Sequence, residues 1–141
     1  MRTLANVIWF VFGGIWLGTA AMAFGLLFCL TIIGIPIGRA LFQYARLMYA
    51  PFGKVIVREV DVNPNMSKIR RSGGFVLNII WLPFGIILFL LSIPAIILSA
   101  ITIIGIPHAV VVAKASVFVM RPIGAKVLTK EEHIAAMVRN N

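Results

Sequence analysis

A chain of 141 residues that is 61% hydrophobic and 12% charged lies far from the soluble average of about half apolar and a quarter charged, which excludes an ordinary water-soluble domain. Its net charge of +9 comes from 13 Lys and Arg residues that all flank apolar runs, as on the cytoplasmic margins of membrane segments rather than on a nucleic-acid surface. The single cysteine, Cys29, leaves no intramolecular disulfide to form.

Arg2 leads at once into a run without a charge from Thr3 to Gly38, long enough to cross a hydrocarbon core about 30 Å thick. It is too long for the apolar region of a cleaved signal, so it is expected to remain in the protein. Asn6-Val7-Ile8-Trp9 places a tryptophan near one membrane face. As one helix the run overshoots a single crossing, and a hairpin turning at Gly18-Thr19-Ala20 accommodates it better. Beyond Thr31-Ile32-Ile33-Gly34-Ile35-Pro36, the stretch from Gly38 to Tyr49 places Leu41, Tyr44, Ala45 and Met48 on one helical face and reads as an amphipathic segment along the headgroups. Lys54 to Val62 is β-branched and charged and predicts a short strand, ended by Asn63-Pro64-Asn65.

Arg70 and Arg71 precede a second uncharged run, Ser72 to Ala113, with a second turn predicted at Ser92-Ile93-Pro94. A shorter strand at Ala125–Leu128 is expected to pair with the first. Thr129 and Glu132 then stand at capping-box spacing before a short helix with a mobile end at Asn140-Asn141. Each polar segment is net basic, so hairpins put all of them and both termini in the cytoplasm, whereas single crossings would leave one basic segment opposite the other two or let the molecule insert both ways.

The chain also repeats itself. Thr31–Pro36 recurs letter for letter as Thr102–Pro107, Asn6-Val7-Ile8-Trp9 returns as Asn78-Ile79-Ile80-Trp81, and Pro51-Phe52-Gly53 as Pro122-Ile123-Gly124. The expected fold is therefore an all-α integral membrane protein of two tandem, pseudo-symmetric transmembrane hairpins with short amphipathic or extended cytoplasmic segments. Its boundaries fall at 2–57 for the first membrane repeat, 58–73 for a basic linker, 74–128 for the second repeat and 129–141 for the C-terminal helix.

These tandem Asn-x-Ile-Trp, Ile-Ile-Gly-Ile-Pro and Pro-x-Gly elements resemble the YccF family of bacterial inner-membrane component domains, over residues 2–128. The resemblance implies a multipass protein of the bacterial plasma membrane with no established role, and it transfers no catalytic residue.

The two Gly-Ile-Pro corners (Gly34, Pro36, Gly105, Pro107) have two readings: broken helices lining an ion or solute path, or helix ends at the interface. Asn6 and Asn78 either face such a path or bond a neighbouring helix. His108 is a pH-sensing or pore-lining candidate, or a structural interfacial residue. Arg39, Arg46, Arg70 and Arg71 suit anionic headgroups at the membrane surface. The apolar runs hold no Asp, Glu, Lys or Arg, so neither catalysis, a metal nor a cofactor is expected. The partners are then the bilayer and its anionic headgroups, further copies of the chain, and no nucleic acid. Two functions follow from this: a small homo-oligomeric channel or transport component, or a non-conducting scaffold binding anionic lipid or a partner protein.

Overall fold

The computed structural model describes residues 2–141. Its first element is one uninterrupted helix, Arg2–Cys29, made of α1 (Arg2–Trp9), a π-helical turn (Phe10–Gly14) and α2 (Ile15–Cys29). The π turn falls where close approach demands a glycine: a Cβ on Gly14 would lie 2.5 Å from the Met48 carbonyl and 2.9 Å from the Trp9 ring. The rest of the chain comprises α3 (Ile35–Tyr49), β1 (Lys54–Arg58), α4 (Glu59–Val62), α5 (Lys68–Ala100), α6 (Gly105–Met120), β2 (Ala125–Thr129) and α7 (Lys130–Asn140). The helices Arg2–Cys29 and Lys68–Ala100 are both long and apolar enough to cross a membrane.

Gly18-Thr19-Ala20 and Ser92-Ile93-Pro94, predicted to turn, lie inside α2 and α5. Gly18 serves contact, because the Tyr49 ring rests where its Cβ would be. Pro83 and Pro94 both sit within α5, as apolar membrane helices tolerate. The chain reverses instead at the two identical hexapeptides. In the first, the Thr31 hydroxyl donates to the Phe28 carbonyl (3.0 Å) and accepts from the Gly34 amide (3.1 Å). In the second, Thr102 bonds the Ser99 carbonyl (3.3 Å) and the Gly105 amide (3.0 Å) in the same way. One side chain thus satisfies groups that a helix end leaves open. Gly34 and Gly105 are required because a Cβ would collide with the carbonyls of Phe28 and Ser99. Pro36 then occupies the first turn of α3, where its missing N–H costs nothing.

After each reversal the chain runs back along its long helix. Gly38 lies against Gly25 and Cys29, and Gly25 lies under the Phe42 ring. In the second pair Ser99 bonds His108 (2.9 Å), Ser116 bonds Ser92 (2.6 Å) and Gly85 touches the Val119 and Met120 backbone. α3 therefore does not turn aside as a separate surface helix. It buries Gly38, Ala40, Ala45, Leu47 and Met48, and the amphipathic pattern reflects packing within the protein.

β1 and β2 pair antiparallel, Lys54 opposite Thr129 and Arg58 opposite Ala125. The first strand stops at Arg58, short of the predicted Val62, as the Glu59 amide turns to the Gly124 carbonyl (2.8 Å) and α4 begins. Residues 58–73, read from the sequence as a linker, thus hold the end of β1, α4 and the start of α5. The Thr129–Glu132 capping box opens α7, and Asn140 ties the end of that helix to the Val62 carbonyl (3.0 Å).

Leu47 and Met48 of α3, Val111 and Phe118 of α6, and Ala125 and Val127 of β2 make the buried core. Tyr44 packs on Phe118 (5.6 Å between rings), whereas Trp9, whose indole is bonded to Met48 further along α3, packs on His108 (5.9 Å) near the start of α6. Outside this core the long helices expose apolar surface along their length, including Phe12, Trp16, Leu26, Ile80, Leu91 and Leu98. Such continuous apolar surface is suited to lipid and not to water.

Candidate functional site

The repeated motifs build one device twice. Asn6 donates to the Phe52 carbonyl (3.0 Å) and accepts from the Phe52 amide (2.9 Å), and Trp9 donates to the Met48 carbonyl (2.7 Å). Asn78 makes the same two bonds to Ile123 (2.6 and 3.1 Å), and Trp81 bonds the Val119 carbonyl (2.8 Å). Each Asn–Trp pair on a long helix thereby clamps the backbone that leaves the returning helix. The Pro-x-Gly turn beyond it bends through a positive φ at Gly53 (85°) and Gly124 (79°), where glycine is unstrained.

Each clamped turn also receives a cation from the other half of the chain. Lys114 of α6 donates to the carbonyls of Pro51 (2.7 Å) and Lys54 (3.2 Å). Arg58 of β1 donates to those of Arg121 (3.1 Å) and Ile123 (3.0 Å). Burial, with the neighbouring charge of Arg121 adding to it, holds Arg58 below its ordinary value. Lys54 donates to the Arg46 carbonyl (2.8 Å), and burial, then Arg46, lowers its pKa. Gln43 accepts from the Val127 amide (2.8 Å), completing the seam. Sequence reasoning singled out none of Arg58, Lys114, Lys54 or Gln43 as a site residue. The available signal was that Gln43 and Lys114, 71 residues apart like the hexapeptides, are polar positions matched across the repeat.

The predicted surface arginines divide. Arg46 forms a forked contact with both carboxylate oxygens of Glu132 (2.8 and 2.9 Å). The Thr129 backbone N–H, helped by Arg46, holds that carboxyl below the usual range. Arg70 pairs with Glu59 (2.6 Å). Arg39 and Arg71 are exposed and form no ion pair among the described residues. His108 shares a hydrogen bond with Ser99 and lies against Trp9. The two corners are hairpin turns, and their tips carry Ile32, Ile33, Ile103 and Ile104, all more than 80% exposed.

Between α3 and the N-terminal half of α5 runs a half-open groove of about 1040 Å³. Arg39, Arg58, Arg70, Arg71, Arg121 and Lys126 line it, with Glu59 as the one carboxylate. Its walls are apolar, with Ile35 and Phe42 on one side and Phe75, Ile79 and Leu82 on the other. The groove brings Arg39, Arg70 and Arg71 together with three basic residues, Arg58 of β1, Arg121 at the start of the second Pro-x-Gly turn and Lys126 of β2; Arg46 lies elsewhere. No cluster of three or more potential metal-ligating residues occurs among the described residues.

Comparison with known proteins gives a consistent picture. The sequence profile of YccF, described as an inner membrane component domain, matches residues 4–54, which contain the first clamp and its hairpin. The inner membrane protein YccF of Escherichia coli K12 is 33% identical over 147 aligned positions, covering 99% of this chain and 96% of the relative. The inner membrane protein YccF of Shigella flexneri matches to the same extent. No solved structure matches.

Proposed function

The chain belongs to the YccF family of inner-membrane proteins, and we propose that within that membrane it is a non-conducting scaffold. In this reading the two helix pairs are tandem, pseudo-symmetric membrane hairpins, with both termini and the basic seam around β1 and β2 in the cytoplasm. The distribution of charge supports that orientation, since basic residues collect on cytoplasmic flanks. The reading includes self-association, supported by the extent of apolar helix surface that one chain leaves uncovered. It assigns the protein no reaction.

The observation that carries the proposal is where the polar side chains of the helices go. Asn6, Asn78, Gln43 and Lys114 are committed to backbone of the chain itself. Thr19 bonds Tyr49, Ser92 bonds Ser116, and Ser99 bonds His108. A path for ions or solutes needs polar groups free to replace water around the permeant species, and these groups are occupied. The clamps and seam hold a fixed basic face, as suits a scaffold.

Two measurements test this. Reconstituted in liposomes, the purified protein is expected to give no flux of protons, potassium, sodium or chloride above the lipid background; sustained flux would overturn the scaffold. In a Cys29→Ala background, cysteines at Ser67 and Asn141 are expected to resist an impermeant thiol reagent in intact cells and to label once the membrane is opened. Labelling of either in intact cells would overturn the orientation.

A further inference from the structure

We propose that the groove between α3 and the N-terminal half of α5 is a site for one anionic glycerophospholipid. The phosphate lies among the basic residues and the acyl chains lie along the apolar walls. The inference rests on the membrane-embedded reading above, but not on whether the chain conducts.

Charge complementarity is the first argument. Of the six cations lining the groove, Arg70 is paired with Glu59. Arg58 is spent on backbone carbonyls, which satisfies its hydrogen bonds and leaves its charge uncancelled. Arg39, Arg71, Arg121 and Lys126 form neither an ion pair nor a side-chain hydrogen bond to the protein among the described residues. Four free basic groups converging on one cavity repel one another unless an anion joins them, and guanidinium groups match phosphate oxygens in geometry as well as charge.

Wall chemistry selects the kind of anion. A soluble phosphate would gain nothing from Phe42, Phe75, Ile79 and Leu82, whereas an acyl chain buries apolar surface on them. Phe75 and Ile79 belong to the exposed apolar surface of α5, so chains leaving the groove pass directly into surrounding lipid. A volume of about 1040 Å³ stands at the upper end for a small-ligand cavity and suits a headgroup, its glycerol and the upper part of two chains. A second copy of the protein fits less well. With 13 basic and 4 acidic residues, it would bring more positive charge to a positive groove.

Native mass spectrometry of the full chain, released from a neutral detergent holding equal phosphatidylglycerol and phosphatidylcholine of the same acyl composition, tests the site. The expected result is one retained phosphatidylglycerol per chain, in preference to phosphatidylcholine. The triple variant Arg39→Gln, Arg71→Gln, Arg121→Gln should bind it on the order of a hundredfold more weakly. The matching triple Arg→Lys variant, which keeps the charges, should still prefer phosphatidylglycerol. Lys130→Gln with Arg139→Gln, which removes charge outside the groove, should match the unmodified protein. Equal retention of the two lipids would overturn the proposal, as would an equal loss in the Lys130/Arg139 variant, which would mean bulk surface charge. Displacement of the lipid by millimolar inorganic phosphate would overturn it in favour of a free-anion site. Should the glutamine triple fail to fold, the lysine triple decides, and absence of lipid preference there overturns the proposal. Ion flux in the liposome assay would remove the scaffold reading and leave a positive result here standing.

Discussion

Replacing Asn78 with alanine removes the second clamp, and the structure sets the size of the effect. Asn78 is 7% exposed and holds both the amide and the carbonyl of Ile123, itself 7% exposed. The carbonyl keeps a partner in Arg58 (3.0 Å), so its loss is one ordinary hydrogen bond, about 0.5–1.5 kcal/mol. The amide keeps none among the described hydrogen bonds, and a buried unsatisfied donor costs about 1–3 kcal/mol. Together the expected destabilisation is about 1.5–4.5 kcal/mol, read as a shift in the unfolding midpoint when SDS is titrated into protein held in mild detergent. Asn78→Asp should cost at least as much, because although a carboxylate still accepts from the amide, its charge is buried and faces the Ile123 carbonyl with nothing to donate to it. The double variant Asn78→Ala, Arg58→Gln should cost more than the sum of its parts, since both residues serve the Ile123 carbonyl. A change below about 0.5 kcal/mol for Asn78→Ala would refute the reasoning, for it would mean that water reaches the Ile123 amide and the clamp is not dry.

Two further expectations follow from the turn and the platform. Gly34→Ala forces a Cβ onto the Phe28 carbonyl and should cost about 1–3 kcal/mol in the same titration, whereas Gly73→Ala, with nothing within 4 Å, should be neutral or slightly stabilising; equal behaviour of the two would refute the turn geometry. For pH, Glu132 has a folded pKa depressed below the ordinary carboxylate value by the Thr129 N–H and Arg46, so its contribution is complete above that ordinary value and lost as pH falls through the lower folded one. Unfolding midpoints measured from pH 6 to pH 3 should decline less steeply in Glu132→Gln than in the unmodified protein, and identical slopes would count against the Thr129 and Arg46 contacts.

Much of this architecture is legible in residues and spacings. The duplicated hexapeptide marks the two places where the chain reverses, and the Asn-x-Ile-Trp and Pro-x-Gly elements mark the parts that meet at each clamp. What the elements do there is less legible. Gly18 and Pro94 carry the usual signals of a turn, yet in a lipid-facing helix glycine provides room for the Tyr49 ring and proline is tolerated in the helix interior. Gly34 has no positive φ, so its necessity comes from a carbonyl six positions back that no local propensity reports. The groove was the least legible feature. Arg39 and Arg71 are far apart in sequence from Arg121 and Lys126, and only the packing of α3 and the start of α5 beside the second Pro-x-Gly turn and β2 brings them to one groove.

The exchange of Lys114 and Arg58 between the halves sets an order of events during synthesis. As the first hairpin leaves the ribosome, Asn6 and Trp9 can close on Phe52 and Met48 at once, because all four are already made. The Pro51 carbonyl must wait for Lys114, and β1 has no partner until the chain reaches Thr129. The first-made half is therefore held open along one edge for the whole time the second is translated. Residues made later, in β2 and α7, lock the first half, so a chain halted before Thr129 is left with an unpaired strand edge.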